Sequence, residues 1–340
     1  MKKIKKYKVA IIGCGKIAVE ENNYCKKVQP GTHAGAFKAH PEIEIVGFAD
    51  IDQKRLNIAL KKFPGVPLFI SAEEMIKKTQ PDIVSIATHT NSHASLVKLA
   101  AKYKVKAIVC EKPMASSIQE AKKMINVCHN SGSLLFINHT RRFDPLFIKL
   151  KKEINEGMIG QVVQGSYYYY NGIFNNGTHA VDLMRFFLGD IDWVIATKNK
   201  LAKNLELPHL RKDLNVDALL HFKNGATIHL HPLPANYGFS DIYLFGTMGS
   251  ISLKEMNFKI EYRKLVNNKN FKGYNGLEEK AIIKGGLRSY MKSLPGHVID
   301  CLKGKSKSIS KGEDGLEAIK ILSLLKKSAL TGGKKIKVEN

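Results

Sequence analysis

No stretch of this chain approaches the roughly 18 uninterrupted apolar residues that a helix needs to cross a bilayer, which excludes a helical membrane span. Cysteine is scarce. There are five, Cys14, Cys25, Cys110, Cys128 and Cys301, an odd number with no C-x-x-C pair. Neither a disulfide framework nor a zinc knuckle follows from that spacing, so the thiols are read as reduced and buried. Acidic residues are also few, 30 against 54 lysines and arginines, for a net charge of +24. Such an excess raises a nucleic-acid reading. The lysines, however, are spread along the whole chain in pairs such as Lys61-Lys62, Lys77-Lys78 and Lys122-Lys123 on polar helix faces. The expectation is therefore a solvated surface with no nucleic-acid partner, whose field would concentrate an anionic small molecule. No secretory leader is expected either. The basic start is followed by a short apolar run that ends at Gly13 and Gly15, without the h-region and cleavage site of a signal peptide. The run reads as a first strand, and the protein as cytoplasmic with no membrane partner.

What is present is an ordinary globular composition, 44% hydrophobic, and a length suited to two domains. Over the first 138 residues, apolar runs at Tyr7 to Ile12, Ile43 to Ala49, Asp82 to Ala87, Lys106 to Cys110 and Leu134 to Asn138 alternate with amphipathic stretches. That alternation predicts a parallel sheet covered on both faces. In one intervening helix, Ser117 and Glu120 form a capping box. Ile118, Ala121, Ile125 and Cys128 then recur on one face before Asn130 and Gly132 end it.

Beyond about residue 138 the pattern changes. A helix is predicted from Phe143 to Gly157. Strands follow at Val162 to Tyr170, Trp193 to Thr197, Val216 to Phe222, Ala226 to His231, Ile242 to Phe245, Ser250 to Lys254 and Phe258 to Tyr262, interrupted by a helix from His179 to Leu188. Asn224-Gly225 is a strong hairpin signal. A last helix runs from Gly315 to Leu330. Residues 139–340 therefore read as an α+β domain with a large, mostly antiparallel open sheet. An open face needs covering, so a homodimer or homotetramer through that sheet is expected.

The chemistry begins at Val9-Ala10-Ile11-Ile12-Gly13-Cys14-Gly15-Lys16-Ile17-Ala18, a G-x-G-x-x-A turn directly after a buried strand. Gly13 allows the tight turn, Gly15 lets the backbone approach a pyrophosphate, and Ala18 permits close helix–strand packing. The helix N-terminus offers N–H groups to phosphate. With the second strand ending at Asp50, which can accept both ribose hydroxyls and would repel a 2′-phosphate, residues 1–138 read as a Rossmann domain that binds NAD in preference to NADP. Asp50 comes 35 residues after Gly15, later than the usual interval of about 20. The excess is assigned to an insertion at Val19 to Thr32.

Three further segments carry candidate chemistry. Cys110-Glu111-Lys112-Pro113 lies at the carboxyl end of a strand, where open α/β sheets bind ligands. A partly desolvated lysine there can exchange a proton with an alcohol, although a strand-end lysine is more often simply solvated. Asn175-Asn176-Gly177-Thr178-His179 places a histidine at a predicted helix start. The helix dipole would favour its neutral form for acid/base work, and a capping or packing role is the plainer alternative. Asn138 to Pro145 includes Arg141-Arg142, able to grip an oxygen-rich or anionic substrate or to form an interdomain ion pair. Of Tyr167 to Tyr170, alternate residues must face opposite ways, so one pair belongs to the core. His229 and His231 share a strand face but lack a third ligand, and no metal site is assigned.

Taken in order and spacing, these segments resemble the Gfo/Idh/MocA family of glucose–fructose oxidoreductase and inositol dehydrogenase-like enzymes. E-K-P at residues 111–113 and G-x-H-x-x-D-L at 177–183 are the specific signatures. Thr88-His89-Thr90-Asn91-Ser92-His93, Phe245-Gly246-Thr247-Met248-Gly249-Ser250 and Gly312-Glu313-Asp314-Gly315-Leu316-Glu317-Ala318 look like its remaining segments. The resemblance spans essentially the whole chain. It implies hydride transfer between a sugar or cyclitol carbon and nicotinamide, with Lys112 and His179 flanking the reacting hydroxyl. It implies a cofactor site at Gly13, Gly15, Lys16, Ile17, Asp50, Thr88, Asn91, His93, Glu111, Lys112 and Pro113. A substrate site is implied at Lys112, Arg142, Tyr170, Asn175, Asn176, His179 and Tyr237. The family often has an aspartate where Asn175 stands, so an Asp–His dyad in its usual form is not available. Some relatives acting on nucleotide-linked amino sugars resemble this Lys-and-His arrangement, which with the basic charge favours a nucleotide- or phosphate-linked sugar. A non-catalytic NAD-binding regulator or scaffold of the same fold is the alternative.

Overall fold

A computed structural model describes residues 6–20, 30–206, 213–284 and 290–339. In chain order the elements are β1 (Tyr7–Ile12), α1 (His33–Lys38), β2 (Ile43–Ala49), α2 (Gln53–Lys62), β3 (Leu68–Phe69), α3 (Ala72–Thr79), β4 (Ile83–Ile86), α4 (His93–Lys102), β5 (Ala107–Cys110), α5 (Ile118–Ser131) and β6 (Leu134–Ile137). Then come α6 (Pro145–Asn155), β7 (Val162–Tyr170), α7 (Gly177–Leu188), β8 (Ile191–Lys198), β9 (Val216–Phe222), β10 (Thr227–Leu233), β11 (Ile242–Gly246), β12 (Gly249–Lys254), β13 (Lys259–Asn267) and β14 (Asn275–Lys284). Helices α8 (Tyr290–Leu302) and α9 (Gly312–Leu330) and the short β15 (Ile336–Lys337) complete the chain.

The chain forms two compact units, Met1–Pro145 with Arg288–Glu317, and Leu146–Leu287 with Ala318–Asn340. The expected single cut between 138 and 139 differs from this division, because 288–317 returns to the first unit. Leu294, Val298 and Ile299 of α8 join its core beside Phe37, Phe136 and Phe143. Ser310 accepts the Ile137 N–H on its carbonyl at 3.0 Å and donates its hydroxyl to the Ile137 carbonyl at 2.6 Å, satisfying the end of an edge strand. The sequence reading did not include α8. Pro295 lies inside it and breaks the local pattern, yet Met291, Leu294, Val298 and Ile299 still form one buried stripe.

The first unit's sheet has six strands in the order β3-β2-β1-β4-β5-β6, and every pairing is parallel. The runs are apolar throughout because both faces are covered, and β4 and β5 are buried at every position. Strand order reverses between β1 and β4, the place where open α/β sheets bind ligands. In α5 the Ser117 hydroxyl accepts the Glu120 N–H at 3.2 Å, Gly132 ends the helix at φ 73°, and Ala121, Met124 and Cys128 are buried.

The second unit holds nine strands in the order β14-β13-β12-β11-β7-β10-β9-β8-β15. All pairs are antiparallel except β7 with β10. Asn224-Gly225 does make the β9–β10 hairpin, with Thr227 opposite His221. The inner face packs on Phe147, Leu150 and Ile154 of α6, on Val181, Met184 and Phe187 of α7, and on Ile321, Leu322 and Leu325 of α9. Alternation decides the tyrosine run. Tyr167 and Tyr169 are 1% exposed in this core, and Tyr168 faces the other side against His231, with ring centroids 5.0 Å apart. No described helix is long and apolar enough to cross a membrane.

Candidate active site

The candidate cofactor residues stand on strand ends of the first unit. β1 ends at Ile12, and Gly13 turns the chain with φ +94° while donating to the Ala49 carbonyl at 2.8 Å. A Cβ on Gly13 would stand 2.6 Å from the Ala87 carbonyl oxygen, so the loop presses against the end of β4. Asp50, at the end of β2, accepts the Cys14 N–H at 2.7 Å on one carboxylate oxygen and the Asp52 N–H at 2.9 Å on the other. The acidic group thus both shapes the glycine loop and stands beside it. The Arg55 guanidinium lies 4.0 Å from Asp50 and 3.7 Å from where a Gly15 side chain would begin. The sequence reading did not include Arg55. Its place one turn into the helix after Asp50 was the available signal.

Hydrogen bonding places the start of the extra segment after Glu20 rather than at Val19. Gly15 to Val19 forms one turn. The N–H groups of His33 and Ala34 then bond to the carbonyls of Ile17 and Ala18 at 3.0 and 2.9 Å. His33 therefore stands where residue 21 would stand in an unbroken helix, and the interval from Gly15 to Asp50 shortens to the usual range. The remainder of the insertion, 21–29 with Cys25, lies outside the described residues. The expected helix beginning at the glycine turn is thus replaced by a single turn with α1 set on its end.

A dinucleotide fits this frame on two observations. Only the Arg55 guanidinium stands within 4 Å of where a Gly15 side chain would begin, and the N–H groups of Gly15 and Ile17 have no acceptor among the described residues, as a pyrophosphate cradle requires. Lys16 is exposed and Ile17 half-buried beside them. Asn91 is exposed in the short turn before α4, and the Thr88 hydroxyl bonds Ser92 at 2.7 Å. His93 is different. It is fully buried, its two ring nitrogens lie 3.0 Å from the Pro113 carbonyl and 3.2 Å from the Thr88 carbonyl, and burial lowers its pKa. It ties two strand-end loops together.

At the end of β5, Lys112 and Pro113 are half-buried, joined by a cis peptide. The Glu111 side chain turns inward instead. One carboxylate oxygen is 2.7 Å from His33 Nε2 and 2.5 Å from Asn138 Nδ2, and the other accepts the Lys112 N–H at 3.2 Å. Burial raises the Glu111 pKa, but the hydrogen bonds from His33 and Asn138 and the charge of Lys112 outweigh it, leaving the carboxyl below its ordinary value. Arg142, read from the sequence as a substrate grip or an ion pair, is 5% exposed. It donates to the Ile309 carbonyl and pairs with Asp314, both at 3.0 Å, an ion pair within the first unit and not the interdomain pair expected.

The remaining candidate residues lie in the second unit. Asn171, in the left-handed region at φ 58°, opens a π-helical turn over Gly172–Asn176, and α7 follows without a break. The turn is stitched to the segment before β9. Asn215 Oδ1 accepts the Gly172 N–H at 3.0 Å, the Leu214 carbonyl accepts that of Ile173 at 2.8 Å, and the two Asp213 carboxylate oxygens accept those of Phe174 at 3.1 Å and Asn175 at 2.9 Å. Burial nevertheless raises the Asp213 carboxyl above its ordinary pKa. The helical N–H groups that seek a cap are therefore those of 172–175, and His179 lies beyond the first turn. The sequence argument that the helix dipole acts on His179 loses its basis, because that effect fades within one turn. Asn175, Asn176 and His179 are half-buried on this turn and helix, and Tyr170 is half-buried at the end of β7. Tyr237 is 65% exposed in a short turn after β10. Asp213 and Asn215 were invisible to sequence reasoning because they act through backbone groups some 40 residues away.

Elsewhere, Cys14, Cys110 and Cys128 are buried free thiols and Cys301 is half-buried, with burial pushing Cys14 and Cys128 up to about 12. His229 and His231 stack at 6.0 Å, and no metal-holding cluster exists among the described residues.

Comparison with known proteins accords with this arrangement. A family model described as the GFO/IDH/MocA oxidoreductase family, NAD-binding Rossmann fold, matches residues 7–139, and the family's C-terminal domain matches 168–252. The chain is 29% identical over 275 residues to D-apiose dehydrogenase of Rhizobium rhizogenes, covering 73% of each protein. It is 26% identical over 358 aligned residues to myo-inositol 2-dehydrogenase of Thermotoga maritima, covering 98% of each. Among solved structures, an oxidoreductase from Agrobacterium radiobacter in complex with NAD+, L-tartaric acid and magnesium superposes with a TM-score of 0.78 at 23% identity over 98% of each chain. The WlbA dehydrogenase from Bordetella pertussis, in complex with NADH and UDP-GlcNAcA, gives 0.78 at 21% identity over 99% of each. The chain belongs to the GFO/IDH/MocA oxidoreductase family and is an NAD(P)-dependent dehydrogenase of that family.

Proposed function

We propose that the protein transfers hydride between a hydroxyl-bearing carbon of a sugar or cyclitol and nicotinamide, using NAD in preference to NADP. The observation that carries this reading is the gathering of three features at the carboxyl ends of strands in one sheet. These are the glycine loop after β1, Asp50 after β2 and Glu111-Lys112 after β5. Bound NAD supplies the hydride acceptor. Lys112, as the free amine, takes the hydroxyl proton as the carbon–hydrogen bond gives up its hydride, and His179 hydrogen-bonds the same oxygen or relays the proton. Asn175, Asn176, Tyr170 and Tyr237 supply hydrogen bonds to the remaining substrate hydroxyls. Arg142 and the Glu111 carboxylate are left out of direct ligand contact, because both are committed to partners within the first unit. D-Apiose, myo-inositol and UDP-GlcNAcA in the names of relatives support a polyhydroxylated substrate. The net charge of +24 favours one that carries phosphate or a nucleotide.

The test is NADH absorbance against a panel of cyclitols, free sugars, sugar phosphates and nucleotide sugars, run beside Lys112→Ala and His179→Ala. Turnover on one class is expected, with kcat falling about 100-fold or more in each variant. A wild type that binds NAD and is silent on every class would replace this reading with that of an NAD-binding regulator.

We also propose a homodimer or homotetramer formed through the outer face of the nine-stranded sheet. That face carries Trp193, Ile195, Leu219, His229, His231, Tyr168 and Tyr243, half-buried and opposite the side on which α6, α7 and α9 pack. Light scattering at micromolar concentration should give two or four chains per particle, and a monomer would defeat the assignment.

A further inference from the structure

The insertion after the glycine turn has a structural product. With α1 set on the end of the turn, His33 lies in the position of residue 21 of an unbroken helix and reaches Glu111, the residue before Lys112. His33 is fully buried, with Nδ1 2.8 Å from the Ser85 hydroxyl of β4 and Nε2 2.7 Å from the Glu111 carboxylate. Asn138, also fully buried, reaches the same carboxylate oxygen and lies 3.8 Å from the Met291 thioether of α8. Three donors thus meet one carboxylate, His33 and Asn138 on one oxygen and the backbone N–H of Lys112 on the other.

A buried carboxylate needs this many donors to stay ionised. The structure assigns His33 as a positioning residue. With Asn138 it keeps Glu111 as an anion, and that anion fixes the backbone of Lys112 and sets how readily its side chain holds a proton. This rests on the reading of Lys112 as the proton-exchanging group. The titratable groups around the carboxylate are His33 of α1, Lys112 itself, His93 of α4 and the Cys110 thiol of β5, and each is electrostatically coupled to Glu111. β4 contributes the Ser85 hydroxyl and α8 the Met291 thioether. An adjacent anion favours the ammonium form of lysine. Removing the anion, or the donor that keeps it ionised, must lower the pH at which Lys112 gives up its proton.

Competitive acylation with acetic anhydride, read residue by residue by mass spectrometry, measures the titration midpoint of Lys112 without turnover. In Glu111→Gln and His33→Ala the midpoint should fall by about one unit. In His33→Gln, which restores a donor to Glu111, it should return to within a few tenths of the wild-type value. Unchanged midpoints in folded Glu111→Gln and His33→Ala would overturn the assignment. Should the variants fail to fold, the wild type answers by itself. Nitrogen-15 spectra of its histidines should show His33 protonated at Nε2 at neutral pH, and a ring protonated at Nδ1 alone would overturn the assignment equally. A Lys112 shift in a protein silent on every substrate would retire the dehydrogenase mechanism and leave this assignment standing. Turnover with no Lys112 shift would do the reverse.

Discussion

Gly13→Ala isolates the contact on which the cofactor loop depends. Two costs add there. The backbone has φ +94°, outside the region that a side chain tolerates, for about 1–2 kcal/mol. The new Cβ would also meet the Ala87 carbonyl oxygen at 2.6 Å and its carbon at 2.8 Å, and these are backbone atoms that cannot rotate away. Relief requires the loop and the end of β4 to part by several tenths of an ångström, straining the 2.8 Å bond from the Ala87 N–H to the Ile12 carbonyl and adding roughly 1–2 kcal/mol. The total, about 2–4 kcal/mol, corresponds to a fall in melting temperature of roughly 5–15 °C for a unit of this size. Gly65→Ala is the control. Its φ is +85° with nothing within 4 Å of the new methyl, so it bears the conformational cost alone. Thermal unfolding of both variants, with NAD affinity by titration calorimetry, should show Gly13→Ala losing more stability than Gly65→Ala. NAD binding should weaken at least tenfold in Gly13→Ala only. Equal losses, or unaltered NAD affinity in Gly13→Ala, would refute the claim that close approach of the loop to β4 shapes the cofactor site.

Glu261 on the outer sheet face is flanked by Lys254 and Lys259, each 2.7 Å away, and their hydrogen bonds hold its carboxyl down to about 2. A depressed carboxyl contributes stability that is fully present above its unfolded value of 4.5 and is lost as pH falls towards 2. Glu261→Gln should therefore cost about 1 kcal/mol at pH 7, discounted because the two lysines are 30% and 28% exposed. Urea unfolding should show the deficit shrinking between pH 4.5 and 2, and a deficit independent of pH would contradict the pairing. For the cofactor, Asp50→Asn should weaken NAD about tenfold and narrow its advantage over NADP, since the repelling charge beside Arg55 is gone. Parallel titrations with both dinucleotides decide this, and an unchanged ratio would remove Asp50 as the discriminating group.

The sequence alone determined what depends on local order and periodicity. Continuous apolar runs located the parallel strands, because a sheet covered on both faces has no polar side. Alternation in β9 and β10 and the Asn224-Gly225 turn located the hairpin. Alternation also divided the tyrosines, placing Tyr167 and Tyr169 in the core. The glycine turn, Asp50 and Lys112 were legible because strand ends and tight turns restrict which residues can serve there. Tertiary structure decided what depends on meetings across the chain. It returned α8 to the first unit, a helix whose Pro295 hides its periodicity. It committed Arg142 to Asp314. It moved the helix start away from His179 by adding a π-turn held on the Asp213 carboxylate. It paired Glu111 with His33, residues separated by 78 positions. A carboxylate's partners are set by which distant donors the fold brings within hydrogen-bonding distance, and neither spacing nor propensity encodes that.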